Sequence, residues 1–237
     1  MRYTLKDYQV EAVRDVLRNL ERARDSYHRY GAKSQFSLAA TTGAGKTVMA
    51  AAVIEALFFG SDEFDVAPDP GAVVLWFSDD PALNEQSRAR IQAAASELDH
   101  RLRVVPTTFS DPSFRPGNVY FLNTQKLSKN SRLVKGAPDV NGDDTLPGLE
   151  RRPDEVQSSI YDTITNTIAN EDLTLYLVLD EAHRGMGTRA SERSTTVQRL
   201  INGQGSVPPM PVVFGISATV ERFEAAMKDA KGRDALP

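Results

Sequence analysis

The octapeptide Ala40-Thr41-Thr42-Gly43-Ala44-Gly45-Lys46-Thr47 stands between a short apolar run, Phe36 to Ala40, and a nearly all-apolar run from Val48 to Phe59. No other feature limits the fold as much. The first run fits a buried strand, the second a helix packed on a sheet face, and the glycines between them permit a tight turn. The same strand-then-helix rhythm recurs along the chain, which is the pattern of a mainly parallel α/β sheet. A first helix is expected over 7–29, with Tyr8, Val13, Val16, Leu17 and Leu20 on its apolar stripe and Gly31 at its end. The run Ala72 to Phe77 suits a central strand covered on both faces, and a helix should follow from Pro81 to about Leu98. Val104-Val105, Val119 to Leu122, Tyr176 to Leu179 and Val212 to Ile216 bring the candidate strands to six.

Composition narrows the chemistry. The 237 residues contain no cysteine and three histidines, His28, His100 and His183, so disulfides, thiolate metal sites and a His-rich transition-metal centre are excluded. A metal here should be a hard cation on oxygen ligands, Mg²⁺ in the first place. The net charge of −4 and pI of about 5.5 argue against a free-standing basic nucleic-acid binder, though not against local phosphate contacts. No run of 18 apolar residues and no signal-peptide core occurs, and a reducing, cytoplasmic setting is expected.

Between a strand and a helix, the Gly43-Ala44-Gly45 turn aims successive backbone N–H groups at phosphate oxygens, and the positive end of the following helix adds to the attraction. Thr42 through Val48 therefore read as a phosphate loop. Lys46 would charge-pair the β- and γ-phosphates of ATP, and the Thr47 hydroxyl would ligate Mg²⁺. Ala40 replaces the Gly that usually opens this pattern, and being small it keeps most of the steric freedom. A second polar group, Asp180-Glu181-Ala182-His183, follows the apolar run Leu175 to Leu179. Strand carboxyl ends are where ligands gather in such sheets. Asp180 can hold Mg²⁺, Glu181 can orient and deprotonate an attacking water, and His183 can report nucleotide state to its neighbours.

Together these segments resemble the first RecA-like domain of a superfamily 2 helicase. Leu5-Lys6-Asp7-Tyr8-Gln9 is similar to the Q motif, 40–47 to motif I, 180–183 to motif II in its DEAH spelling, and Ser217-Ala218-Thr219 to motif III. The resemblance implies that Gln9 reads adenine with Tyr8 nearby, and that His183, Ser217 and Thr219 couple hydrolysis to nucleic-acid binding. Within the superfamily the wording is closest to the helicase (Res) subunit of type III restriction enzymes. Ser78 to Gln86 fall at motif Ia, Asn123 to Leu127 at the next DNA-contact segment, and 180–185 continue as Asp-Glu-Ala-His-Arg-Gly. The likeness runs from Tyr3 to Thr219. It implies a single RecA-like ATP-binding domain over 1–237, double-stranded DNA as partner, and a methyltransferase subunit as a further one. It also implies a second RecA-like domain and a nuclease domain outside these residues, so the isolated chain should hydrolyse ATP very slowly.

Candidate nucleic-acid contacts are Asn84, Gln86 and Arg88, with Arg90, at a helix start, and Thr124, Gln125 and Lys126 after a strand. A solvated helix face is the alternative for the arginines. The segment Ser128 to Pro153 has three Gly, three Pro and no aromatic, and is expected to be either a disordered, flexible insertion or a DNA-contacting loop. Asp229-Ala230-Lys231 has nuclease-like spacing but no acidic partner upstream, and is assigned to surface charge on a terminal helix. Rival functions are a nucleotide-dependent binding module without motor activity, an RNA helicase fragment and a small-molecule phosphotransferase. The last leaves Gln9 and 217–219 without a role.

Overall fold

A computed structural model describes residues 1–128, 131–135, 158–180, 197–218, 223, 227 and 232–237. Its strands are β1 (Lys33–Ala39), β2 (Ala72–Ser78), β3 (Leu102–Val104), β4 (Asn118–Asn123), β5 (Thr174–Asp180), β6 (Val212–Ser217) and β7 (Arg233–Ala235). They form one sheet in the order β3-β4-β2-β5-β6-β1-β7, and every pairing is parallel. The helices are α1 (Asp7–Tyr30), α2 (Lys46–Phe59), α3 (Pro81–Ala94), a four-residue α4 (Arg132–Lys135) and α5 (Ile160–Ala169), with a 3-10 turn at Ser96–Arg101.

Helices cover both faces, so the central strands are apolar on both sides. All seven residues of β2 are buried, and so are all six of β4 and of β6. One core layer joins α1, α2 and α3 to Phe36, Trp76, Phe121, Tyr176, Val178 and Phe214. The other joins α5 and residues 200 and 201 to Leu75, Tyr120, Leu177 and Val213. Val13, Val16, Leu17 and Leu20 of α1 face inward as their spacing implies. Tyr8 departs from that stripe and is 47% exposed. Gly31 closes α1 in the left-handed conformation and donates its N–H to Tyr27 O at 2.8 Å.

Three expectations need correction. The helix from Pro81 stops at Ala94, because Ala95 turns to extended backbone (φ −136°, ψ 97°) before the 3-10 turn. Ala94, Ala95 and Leu98 are all fully buried, a spacing that also fits an unbroken helix. A seventh strand, β7, pairs with β1 through Lys33 to Gln35 and has no apolar alternation to announce it. The triplet 229–231 and most of the segment 128–153 lie outside the described residues; within the latter, 132–135 form α4. Helix α5 was not anticipated, although Ser159 and Asp162 form a reciprocal cap at its start.

At the amino-terminal edge of the sheet the backbone of Gly71 runs against the neighbouring loop. A Cβ there would meet the Asp172 carbonyl oxygen at 2.1 Å, a backbone atom that cannot swing aside. Gly71→Ala should therefore lower stability by about 1–3 kcal/mol, read as the urea midpoint of the chain.

Candidate functional site

Because all strands are parallel, their carboxyl ends line one edge of the sheet. Register fixes the order along it: Asn123 pairs with Ser78, Leu179 with Phe77, Asp180 with Ile216, and Ser217 with Ala39. The phosphate-loop strand β1 and the strand of Asp180, β5, are thus separated by a single strand, β6, which ends in Ser217. The loop leaves β1 with the Ala40 N–H donated to Ser217 O at 3.2 Å, so 40–47 and 217 share a backbone bond.

The loop itself takes the shape its glycines allow. Gly43 and Gly45 have φ of 87° and 82°, the left-handed region, and α2 begins directly after Gly45. Val48 and Met49 donate their N–H groups to Gly45 O. A Cβ on Gly43 would meet nothing within 4 Å, whereas one on Gly45 would lie 2.6 Å from Gln9 Nε2. Thr42 is exposed, and Lys46, Thr47 and Val48 are half-buried in the first turn of α2. Lys46 Nζ donates to Ala40 O at 2.8 Å and Thr41 O at 3.3 Å.

Tyr8 and Gln9 reach this loop from the start of α1. Gln9 Nε2 donates to Ala44 O at 2.8 Å, the Tyr8 hydroxyl donates to the same oxygen at 3.1 Å, and Gln9 Oε1 accepts from the Lys6 N–H at 2.9 Å. Gln9 is buried and both ends of its amide are engaged within the protein. Tyr8 presents its ring to solvent.

Asp180 closes β5 and is partly exposed. Its Oδ2 accepts two bonds, from Ser87 Oγ at 2.6 Å and from the Trp76 indole Nε1 at 3.2 Å. Glu181, His183 and Thr219 lie outside the described residues. Thr47 offers a hydroxyl and Asp180 a carboxylate, the oxygen donors a hard cation such as Mg²⁺ takes.

The expected nucleic-acid residues divide. Gln86 and Gln125 are exposed, and Arg88 pairs with Glu85 at 2.9 Å on the surface of α3. Thr124 donates to Asp79 Oδ1 at 3.2 Å, joining the two segments. Lys126 is half-buried and donates to Val105 O; burial lowers its pKa, and Glu85 offsets this in part. Asn84 is a correction. Only 1% exposed, it accepts from Ser78 Oγ at 2.7 Å and donates to Leu122 O at 2.8 Å, so its amide clamps α3 to β2 and β4 and is not presented to a phosphate. Ser87 and Trp76 were missed. The signal was helical period: Asn84, Ser87, Ile91 and Ala94 form one inward stripe, so Ile91 facing the core implies that Ser87 and Asn84 do too.

The fold is α/β, a seven-stranded parallel sheet with helices on both faces. The chain belongs to the family described as type III restriction enzyme, res subunit, whose profile matches residues 2–222. Among solved structures it is similar to the nuclease-deletion mutant of the Type ISP restriction-modification enzyme LlaGI in complex with a DNA substrate mimic (14% identity, TM-score 0.48, 92% of this chain and 18% of that one). It is also similar to the UvsW helicase from bacteriophage T4 (11%, 0.49, 99% and 60%). A third such structure is S. cerevisiae Dbp5 bound to RNA and ADP BeF3 (12%, 0.45, 98% and 50%). The chain therefore spans between about a fifth and three fifths of the length of these proteins. No curated protein sequence matches it.

Removing the Asn84 amide takes the side-chain donor from the Leu122 carbonyl and leaves Ser78 Oγ only the Asp80 carbonyl as acceptor. Asn84→Ala is expected to destabilise the chain by about 1–3 kcal/mol. Gln86→Ala, exposed two residues on, should stay within about 0.5 kcal/mol. Thermal or urea unfolding of the two variants separates these outcomes.

Proposed function

We propose that this chain is the ATP-binding half of a DNA helicase or translocase motor, working within a type III restriction-modification enzyme. One observation carries the reading: the phosphate loop, Asp180 and Ser217 stand at the carboxyl ends of the adjacent strands β1, β5 and β6. A phosphate-binding turn, an acidic strand end and the peptide between them are what an NTP-driven motor requires at one edge. Family membership supports the same reading.

In this scheme the loop 42–48 wraps the β- and γ-phosphates at the helix start, with N–H groups other than those of Ala44 and Val48, which bond within the loop, facing the phosphate oxygens. Lys46 exchanges the carbonyls of Ala40 and Thr41 for phosphate oxygens, a substitution of neutral acceptors by charged ones that favours the bound state. Thr47 and Asp180 would hold Mg²⁺, which would supply positive charge to the phosphates. Glu181, next along the chain, orients the attacking water and takes its proton. Tyr8 and Gln9 serve the adenine side of the loop. Gln86, Arg88, Thr124, Gln125 and Lys126 supply the adjoining polynucleotide face, and His183, Ser217 and Thr219 transmit nucleotide state. A second RecA-like domain closes over the nucleotide and completes the site with a cationic finger, so that the cycle of opening and closing moves the strand.

Three variants test the assignment. Lys46→Ala loses charge-assisted bonds worth about 1.5–3 kcal/mol, so nucleotide affinity should fall roughly 10–100-fold. Glu181→Gln should bind within about twofold of the parent and lose hydrolysis by about 10²–10⁴, the scale of a general base. Equal loss of binding in both would contradict these roles. The parent chain alone should turn over slowly, since an arginine finger contributes about 10³–10⁵ in related NTPases. Brisk DNA-stimulated hydrolysis by these 237 residues would overturn that expectation, and stimulation by RNA in place of DNA would reassign the partner.

A further inference from the structure

Asp180 does not stand alone at its strand end. Its Oδ2 receives the Ser87 hydroxyl from α3 and the Trp76 indole N–H from β2, at 2.6 and 3.2 Å. Both donors are fixed. Trp76 is 1% exposed and packs its ring against Phe121. Ser87 is buried on the inward stripe of a helix held at three places: Asp80 caps its first turn through the Ala82 N–H at 2.7 Å, Pro81 opens it, and Asn84 ties it to β4. Two donors from two different elements converge on one carboxylate oxygen. That arrangement restrains the rotation of the carboxylate, since turning it would leave a buried indole N–H and a buried hydroxyl without their acceptor.

We propose that Ser87, supported by Trp76, is a positioning residue that holds Asp180 in the orientation needed to bind Mg²⁺ with the nucleotide. The inference rests on the ATP-binding role proposed above and adds a residue to it. A carboxylate that ligates a cation directly or through water binds best when its outer partners pre-set its rotation, and loss of such a partner costs about 10–100-fold in metal affinity. The short Ser87 bond is of the charge-assisted kind, with an O–H donor on a carboxylate. Ser87 also lies between the exposed Gln86 and the surface residue Arg88, so the helix that carries the polynucleotide candidates carries the support of the metal carboxylate as well.

The test uses the full chain and a fluorescent ADP analogue, titrated in EDTA and again over a series of Mg²⁺ concentrations. Ser87→Ala removes the donor, and Ser87→Cys keeps nearly the same volume with a weak donor, so the measurement survives if the alanine variant folds poorly. Both should leave the Mg²⁺-free affinity within about twofold and raise the Mg²⁺ concentration that half-restores tight binding by about 10-fold, the lower end of an outer-partner loss. If either folded variant keeps the parent's Mg²⁺ dependence, the inference is overturned while the ATP-binding reading stands. A loss that is equal with and without Mg²⁺ also overturns it, since Ser87 would then serve the fold alone. If the parent chain binds no nucleotide under any condition, the underlying reading fails and takes this one with it.

Discussion

Parallel register is the constraint on which the rest of this structure depends. In a parallel ladder every strand presents its carboxyl end on the same side, so residues far apart in sequence meet wherever strands are neighbours. Here Ala39, Ser217 and Asp180 stand in consecutive strands, with Ser217 directly opposite Ala39 and Asp180 opposite Ile216. A slip of one residue in β5 would carry Asp180 to the opposite face, away from α2 and into the layer of Leu177 and Leu179. Since β5 is apolar on both faces, hydrophobicity alone does not select its register; the polar bonds do, Tyr176 to Asp69 and Asp180 to Ser87 and Trp76.

The second determinant is the use of polar side chains where a core would ordinarily be apolar. The inward stripe of α3 changes character along its length, from Asn84 and Ser87 to Ile91 and Ala94. Its second half packs like any helix on a sheet. Its first half hydrogen-bonds instead, to Ser78, to Leu122 O and to Asp180. A buried amide and hydroxyl cost free energy unless every partner is present, so they fix the height of the helix along the sheet in a way that sliding apolar surfaces do not. The gain is positional: α3 is locked at the carboxyl edge of β2 and β4.

Much of this was legible in the sequence. The strand, turn and helix over 33–59 needed only the two glycines and the flanking apolar runs, and the buried strands announced themselves by continuous hydrophobicity. Strand β7 escaped because Arg233 to Ala235 pair through backbone alone, with Leu236 N–H donating to Gln35 O just beyond. Asn84 was misread because polar residues at a helix start resemble phosphate contacts, and residue type outweighed position. Period was the better guide: counting back from Ile91 places both Ser87 and Asn84 inside. Partners 93 and 104 residues distant in sequence, such as Ser87 and Trp76 for Asp180, are invisible to any local pattern. Only the strand order β4-β2-β5 brings them together.

The two edges of the sheet divide their work. At the amino-terminal edge the Tyr176 hydroxyl donates to Asp69 Oδ2 at 2.7 Å, deep in the protein, while Asp69 Oδ1 accepts the Gly71 N–H at 3.0 Å. Burial, reinforced by the Asp69 carboxylate, pushes the Tyr176 phenol well above its usual pKa, so it remains a neutral donor across the whole range in which the protein would work. This network ties the connector after α2 to the central strand β5 and asks nothing of a ligand. The carboxyl edge holds the groups assigned to the nucleotide: Lys46 rests on its own loop carbonyls, and Asp180 is held by Ser87 and Trp76. The buried Tyr176–Asp69 bond thus anchors β5 towards one end and the bonds to Asp180 hold the other, so the proposed site rests on a strand tied at both ends.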